Sequence, residues 1–280
     1  MTLRPVENVR ENSTTSYQTI LVVGGTGSGK TTQMRTLPGK KLAYLFDPNA
    51  KISLIGSDID LIEFTPELFE FDLKLKGFNK SARPDRGRSK IEPTVYNRWE
   101  DDLNERFDSG FMEKEGYDWI CLDSLTFLVQ ALMDRQMFLN GRLGQLEDRG
   151  DYRMVGNTLS HIMTALASLP INIYCTGHLS TYQDEKTGKI DVQLAIPGSS
   201  RVKVPLSCSN IWLAKYVSGD SHQHILRTRP EPRGFQSIRT SIPGLKEEED
   251  VTIKSFSKAQ EYGIGALLTR ADQKPPLRSA

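Results

Sequence analysis

Short apolar runs bounded by polar residues or glycine are the strongest pattern in the first two thirds of the chain. They occupy residues 19–23 (TILVV), 41–47 (KLAYLFD), 117–124 (YDWICLDS) and 171–178 (INIYCTGH). Continuous apolar runs of this length are typical of strands buried on both faces of a parallel sheet. Residues 125–141 and 152–170 have the pattern of long helices. This alternation of strands and helices predicts an α/β fold.

The pattern changes after residue 178. Residues 181–199 (TYQDEKTGKIDVQLAIPGS) predict a hairpin with Thr187 and Gly188 at its tip. Residues 210–217 and 223–230 predict further strands, which we expect to be antiparallel. The chain as a whole therefore predicts a mainly parallel sheet flanked by helices, with an antiparallel hairpin edge.

Two shorter helices are predicted near the start of the chain. One follows the first strand over residues 30–37 and ends at Pro38 and Gly39. The other covers residues 94–107, where one stripe carries Val95, Trp99, Leu103 and Phe107.

The same patterns divide the chain. We expect a flexible arm over residues 1–17, a single domain over 18–268 and a disordered tail over 269–280. Residues 51–116 form a variable insertion between the second and third core strands. This insertion contains a basic loop at residues 83–90.

Composition narrows the class of protein. With 38% apolar and 25% charged residues the chain is typical of a globular enzyme, and a net charge of +1 excludes a global basic field that would attract nucleic acid. Cys121, Cys175 and Cys208 show no metal-binding spacing, and their odd number argues against a disulfide framework. No apolar run approaches the roughly 18 residues that span a bilayer. We expect a cytoplasmic protein without a membrane partner.

Residues 24–32 (GGTGSGKTT) follow the first strand and match G-x-x-x-x-G-K-[ST], the phosphate loop of nucleoside triphosphate-binding proteins. Glycines let successive N–H groups point at phosphate oxygens, the lysine reaches the β- and γ-phosphates, and the hydroxyl after it serves Mg²⁺. The residues predicted to bind ATP are Gly24, Gly25, Thr26, Gly27, Ser28, Gly29, Lys30, Thr31 and Thr32. The alternative is a glycine-rich turn with an accidental lysine.

A second acid fits this loop. Asp123 ends the third apolar run, where its carboxylate can hold the water shell of Mg²⁺ beside Thr31. Ser124 is expected to cap the next helix or to donate a hydrogen bond near the metal. The alternative role for Asp123 is a helix cap. Asp118 lies at the other end of the same strand, away from the phosphate loop.

These motifs resemble the RecA-like branch of P-loop ATPases, and more closely the small phage-encoded RecA-like ATPases of recombination. Softer similarities extend the resemblance over residues 19–265, in the stretches LPGKKLAYLFD, IYCTGHLSTYQDEKTGKI, IPGSSRVKVP and YGIGALL. The resemblance implies a RecA-like P-loop NTPase core that uses ATP and Mg²⁺. It also implies single-stranded DNA, further copies of the chain and a single-strand binding protein as partners, in the cytoplasm of an infected host cell.

The resemblance also assigns roles to two strand ends. RecA-like ATPases usually carry a water-activating glutamate just past the second strand, where this chain has Asn49. Asp47 is the substitute, unless it only forms a turn before proline. His178, after the fourth strand, matches a residue that senses the γ-phosphate, or it merely ends a strand. The predicted catalytic residues are therefore Lys30, Asp47, Asp123 and His178.

Basic and aromatic residues offer candidate contacts. The cations predicted to contact DNA or the ATP of a neighbouring subunit are Lys186, Lys189, Arg201 and Lys203. Arg201 and Lys203 alternate in SRVKV, which predicts one face of a strand, either as a trans-acting pair or as a solvated face. His222 and His224 also alternate, and the choice there lies between a metal site and a solvated face.

Three functions remain open at this stage. The first is a RecA-like ATPase that acts on single-stranded DNA in phage recombination or replication. The second is an ATP-dependent adaptor or loader that does not hydrolyse ATP, which Asn49 motivates. The third is a P-loop nucleotide kinase, whose lid would have to come from residues 79–90. A DNA-packaging motor is disfavoured because the chain has no room for a nuclease domain.

Overall fold

The fold is taken from a computed structural model that describes residues 17–66, 92–183, 188, 190–218, 222–231 and 234–272. Residues 271 and 272 are described by their backbone alone. Its strands in chain order are β1 (Thr19–Gly24), β2 (Lys40–Leu45), β3 (Asp60–Glu63), β4 (Tyr117–Asp123), β5 (Asn172–Gly177), β6 (Leu179–Gln183), β7 (Ile190–Leu194), β8 (Asn210–Val217), β9 (Gln223–Arg227) and β10 (Glu248–Asp250). Its α-helices are α1 (Val95–Asp108), α2 (Phe111–Lys114), α3 (Leu125–Leu139), α4 (Arg149–Ala167), α5 (Ser200–Leu206) and α6 (Gly263–Asp272). Short 3-10 helices cover Thr32–Thr36, Ala50–Leu54 and Phe256–Glu261.

An eight-stranded sheet in the order β10-β9-β8-β1-β5-β4-β2-β3 forms the centre of the fold. Every neighbouring pair from β8 to β3 is parallel, whereas β9 and β10 continue the sheet in antiparallel pairing. β6 and β7 form a separate antiparallel hairpin. The predicted fold class, a mainly parallel sheet with helices and an antiparallel edge, is confirmed.

β1 is an unbroken apolar run because both faces of the sheet are packed against a hydrophobic core at this strand. Leu21 and Val23 belong to the core under α1, α3 and α4. Ile20 and Val22 point to the opposite core, which also holds residues of the first 3-10 helix and α6. Successive side chains of a strand alternate between faces, so burial on both faces requires an unbroken apolar sequence.

The predicted helices and hairpin are largely present. α1 matches the helix predicted over 94–107, with Val95 and Trp99 buried and Leu103 and Phe107 packed against the same core. The helix predicted over 30–37 is a short 3-10 helix, Thr32–Thr36. The hairpin pairs Leu179 with Leu194. Its predicted tip residue Thr187 lies outside the described residues.

Two sequence predictions are corrected, and one strand is found that the sequence did not predict. The stretch SRVKV forms the helix α5 and not a strand, because the buried residues Ser200 and Val204 recur at helical spacing while Val202 is 68% exposed. The insertion contributes β3, an additional edge strand that pairs with β2. Helix α6 continues through residues 269–272, which the sequence assigned to the tail.

The insertion's basic loop at residues 83–90 lies outside the described residues. In the described parts of the chain, every helix is too short or too polar to cross a membrane.

Candidate functional site

The carboxyl ends of four neighbouring parallel strands bring the predicted site residues together. β1 ends at Gly24 and continues into the phosphate loop, β4 ends at Asp123, and His178 follows β5 directly. Asp47 follows β2, the next strand beyond β4. Ligands of open α/β sheets bind at this end of the strands. The sheet therefore groups Lys30, Asp47, Asp123 and His178 at one edge.

The phosphate loop is tightly packed at Gly24, whereas the space beside Gly25 is open. A Cβ atom at Gly24 would clash with the carbonyl oxygen of Ala214 on β8, whereas at Gly25 it would meet no atom within 4 Å. Gly29 has φ of +88°, a left-handed conformation that a side chain would strain. Side-chain-free residues at both ends therefore let the loop turn sharply beside β8.

Lys30 is folded into the loop that precedes it. Its Nζ donates hydrogen bonds to the carbonyl oxygens of Gly24 at 3.1 Å and Gly25 at 2.8 Å, and the residue is 6% exposed. Burial lowers the pKa of the ammonium group, while the negative charges of Asp123 and Asp47 oppose this shift. The amine can exchange these neutral acceptors for phosphate oxygens, since charged acceptors form the stronger hydrogen bonds.

Asp123 is 2% exposed and is bonded through both carboxylate oxygens. Thr31 Oγ1 donates to Oδ2 at 2.6 Å, and Thr176 Oγ1 donates to Oδ1. Burial raises the pKa of the Asp123 carboxyl, and the hydrogen bonds from Thr176 and Thr31 partly offset this rise. The observed partners of the carboxylate are thus Thr31, which is predicted to bind the metal, and Thr176 on the neighbouring strand β5, and not the start of α3 as the capping alternative requires.

The set of oxygen atoms beside the loop suits Mg²⁺. The Thr31 hydroxyl and the Asp123 carboxylate are the hard ligands that this ion prefers, and Mg²⁺ usually keeps several waters. Ser124 Oγ is buried without a hydrogen-bond partner among the described residues and makes no capping bond to α3. The expectation that Ser124 caps the helix through its side chain is wrong.

Asp47 is held at the end of β4. Its N–H donates to the Asp123 carbonyl oxygen at 3.0 Å, and its Oδ1 accepts the N–H of Asn49 at 2.9 Å. The aspartate therefore does form the turn that the alternative predicted. Its charge also acts on Lys30 and Asp123, which places it within electrostatic reach of both. Asn49 itself is exposed.

His178 is half-buried at the same edge of the sheet. Its N–H donates to Thr126 Oγ1 at 3.1 Å, and its ring meets Phe127 edge-on with centroids 6.2 Å apart. Burial and the positive charge of Lys30 lower the pKa of His178, which favours the neutral ring, while the negative charges of Asp47 and Asp123 oppose this shift. Its carbonyl oxygen accepts the N–H of Ala195, which follows β7. The backbone at His178 thus joins the site to the β6–β7 hairpin.

The two described cations of the prediction, Arg201 and Lys203, form their hydrogen bonds with residues outside the phosphate loop. Arg201 donates to the Ile196 carbonyl oxygen at 2.8 Å and to Gln193 on β7. Lys203 donates to Asn157 on α4 at 3.3 Å. Both are therefore engaged by the hairpin and α4. The other two cations of this prediction, Lys186 and Lys189, lie outside the described residues.

Two contacts of the loop were missed by the sequence analysis. Tyr174 on β5 donates its hydroxyl to the Lys30 carbonyl oxygen at 2.7 Å, in full burial. His224 on β9 places Nδ1 3.2 Å from the carbonyl oxygen of Ser28. In the sequence, the only indication of the Tyr174 contact is a single tyrosine within a buried apolar run. For the second, the sequence offered the His222–His224 spacing, which was interpreted as a metal site or a solvated face.

The metal alternative for these histidines lacks ligands. Among the described residues no three His, Cys, Asp or Glu side chains form a group that could hold a metal ion. Instead, both histidine rings contact the ring of Tyr216, with centroids 5.7 Å away for His222 and 5.4 Å for His224.

The family that the chain matches is consistent with a nucleotide-binding phosphate loop. Residues 16–240 match the AAA_24 family, described as an AAA domain. The KaiC-like protein PH0186 of Pyrococcus horikoshii OT3 is similar in structure, with TM-score 0.41, 12% identity and coverage of 84% of this chain and 85% of that chain. The flagellar accessory protein FlaH of Methanocaldococcus jannaschii has TM-score 0.37, 12% identity and 85% coverage of both chains. No curated protein sequence matches the chain. The family match spans the loop, Asp47, Asp123 and His178.

Proposed function

Since the chain belongs to the AAA_24 family of AAA domains and is a P-loop ATPase by family, we propose that it is a RecA-like enzyme that hydrolyses ATP while acting on single-stranded DNA, in phage recombination or replication. The observation that carries the nucleotide part is the hydrogen bond from Thr31 to Asp123 beside a loop-bound Lys30. A glycine-rich turn with an accidental lysine would not bring a buried carboxylate to the hydroxyl after that lysine.

The residues of the loop divide the work of binding. Loop N–H groups and the Lys30 amine would hold the β- and γ-phosphates, and Thr31 with Asp123 would hold Mg²⁺. The bound metal would neutralise charge that develops on the phosphate oxygens. Tyr174 fixes the backbone at Lys30, and Thr176 orients the Asp123 carboxylate. The site is therefore supported by side chains of β5 as well as by the loop.

Hydrolysis requires a group that orients a water and accepts its proton. We assign this role to Asp47, because its charge reaches Lys30 and its backbone is fixed by Asp123. Asn49 can orient a water but cannot take a proton. We assign contact with a γ-phosphate oxygen to His178, which is half-buried directly after β5.

Action on DNA is supported by the link between His178 and the hairpin. We propose that a change at His178 is passed to Ala195 through one hydrogen bond, and from there along β7 to its exposed end at Ile190. Tyr182 on β6 is 61% exposed, and an exposed ring can stack on an unpaired base. We therefore propose that single-stranded DNA contacts the β6–β7 hairpin, together with Lys186 and Lys189, which lie between β6 and β7 in the sequence.

The test is ATP turnover with and without single-stranded DNA, for the wild type, Lys30→Ala and Asp47→Asn. We expect DNA to stimulate the wild type, and Lys30→Ala to abolish turnover. Asp47→Asn should reduce turnover by about 10²- to 10⁴-fold, the usual contribution of a general base, while ATP binding changes little. The exposed residue Asp101 provides a matched control, Asp101→Asn, which should behave as the wild type.

One specific observation favours a second candidate, an ATP-dependent adaptor that does not hydrolyse ATP. Asn49 stands where the water-activating glutamate is expected, and Asp47 already accepts the Asn49 N–H. ATP binding that Lys30→Ala removes, without turnover in any DNA condition, would favour the adaptor over the ATPase. Transfer of phosphate to a nucleoside monophosphate would instead favour a kinase, whose candidate lid at residues 79–90 lies outside the described residues.

A further inference from the structure

The phosphate loop lies between two differently equipped parts of the sheet. β1 is flanked by β5 on one side and β8 on the other. Asp123 and His178 belong to the β5 side, together with Asp47. In a nucleoside triphosphate the γ-phosphate and the base are at opposite ends. With the metal and γ-phosphate groups on the β5 side, the base end is directed toward β8 and β9.

Three aromatic rings occupy that other side. Tyr216 on β8 is directly opposite His224 on β9 in the antiparallel register, with ring centroids 5.4 Å apart. His222, just before β9, stacks on the same tyrosine at 5.7 Å with 17° between the planes. We call Tyr216, His222 and His224 the ring cluster. The pairing of β8 with β9 holds Tyr216 beside His224, and ring stacking joins His222 to Tyr216.

The ring cluster is continuous with the phosphate loop. His224 Nδ1 lies 3.2 Å from the Ser28 carbonyl oxygen, and a Cβ atom at Gly29 would be 2.8 Å from the same nitrogen. The His224 backbone is itself fixed, since its N–H donates to Thr252 Oγ1 at 2.9 Å. A ligand leaving the loop on this side therefore meets the cluster first.

The cluster is also accessible. Tyr216 is 47% exposed and His222 is exposed, so neither ring is covered by the core of the fold. An aromatic surface that remains open beside a phosphate loop offers π-faces on which a base can stack.

From this placement we propose that the ring cluster binds the base of the nucleotide whose phosphates the loop holds, with Tyr216 as the principal stacking ring. The proposal rests on the nucleotide-binding part of the proposed function and is independent of DNA binding and of hydrolysis. Stacking of a base on an aromatic side chain contributes about 1–3 kcal/mol. Since 1.4 kcal/mol is a factor of ten, loss of the ring should weaken nucleotide binding by about 5- to 100-fold.

The experiment compares two ligands that share phosphates and differ in the base. Binding of ATP and of inorganic tripolyphosphate, both with Mg²⁺, is measured by calorimetry for the wild type, Tyr216→Ala and Tyr216→Phe. We expect Tyr216→Ala to weaken ATP binding by about 5- to 100-fold and to leave tripolyphosphate binding unchanged. Tyr216→Phe keeps the ring and loses only the hydroxyl that meets His222, so ATP binding should stay within about threefold.

Each other outcome counts against the proposal. Equal ATP affinity in Tyr216→Ala and the wild type would overturn it, and so would equal losses for ATP and tripolyphosphate. The exposed His222 supplies a second variant: His222→Ala should also weaken ATP more than tripolyphosphate, and the reverse order would contradict the proposal. Failure of the wild type to bind ATP at all would overturn the proposed function as well, which separates the two failures.

Discussion

At the scale of single residues, the site contains a carboxylate, Asp123, whose surroundings disfavour its charged form. Asp123 is buried, and the negative charge of Asp47 acts on it in addition to burial. Two threonine hydroxyls satisfy its oxygens, yet the pKa of the carboxyl remains raised. A bound cation would favour the charged form. In the absence of metal, the same charge costs the fold part of its stability.

This cost predicts that Asp123→Asn stabilises the metal-free protein. Because the folded-state pKa lies above the ordinary value of 3.8, the stability that the protonated carboxyl provides is lost as the pH rises through that raised pKa. The neutral amide avoids the loss. We expect a gain on the order of 1 kcal/mol at pH 8, or roughly 2–4 °C in Tm, and a smaller gain at pH 4.

Thermal unfolding with a chelator at both pH values measures this effect. The exposed Asp101 gives the control, Asp101→Asn, which should leave Tm nearly unchanged. A variant at Asp123 that is less stable than the wild type at pH 8 would show that the carboxylate supports the fold and is not held there for the metal.

At the scale of elements, buried strands could be predicted and sparsely buried ones could not. β1, β4 and β5 are nearly continuous apolar runs, since both of their faces are covered. β3 has only four residues with exposed ends, so it gives no such run. In α5 the four residues 201–204 alternate between polar and apolar, and over so short a stretch a strand pattern cannot be told from a helix pattern.

The site follows the same rule. The loop and Asp123 are local in sequence and could be predicted, together with the strand ends that carry Asp47 and His178. The contacts from Tyr174 and His224 to the loop join positions 144 and 196 residues apart. No local pattern contains such a contact, because strand order in the sheet decides it. The ring cluster, likewise, depends on the register of β8 and β9.

The junction of β1 with β8 gives a prediction at this scale. At Gly24 a Cβ atom would clash with the Ala214 backbone, which cannot move aside as a side chain tip can. Gly24→Ala should therefore separate β1 from β8 and cost about 1–3 kcal/mol in the free energy of unfolding. Gly25→Ala is the matched control, because its Cβ meets open space and should leave denaturant midpoints nearly unchanged. Equal stability of both variants would contradict this packing.

At the scale of the whole molecule, the near-neutral charge of +1 limits how strongly any nucleic acid can be held by phosphate contacts alone. A protein of this kind must use a local patch, which we place on the β6–β7 hairpin. Few cations then neutralise few phosphates, and stacking supplies the rest of the affinity.

This limit predicts a shallow salt dependence of single-stranded DNA binding. For about two to four phosphate contacts, the slope of log Kobs against log salt should be roughly −1 to −3, from about −0.7 per contact. Fluorescence anisotropy of a labelled oligonucleotide over a range of salt concentrations measures it. A slope steeper than about −5 would require a larger basic surface than the hairpin offers.

The position of Lys30 has a consequence for how the loop is filled. The Lys30 amine is bonded to the Gly24 and Gly25 carbonyl oxygens, so the loop is closed by the same cation that we propose to bind phosphate. Filling the site is then an exchange of acceptors, and neither state leaves a buried charge uncompensated. The affinity measures a difference between two sets of bonds, so a ligand with too few phosphate oxygens to replace both carbonyls gains little from the lysine.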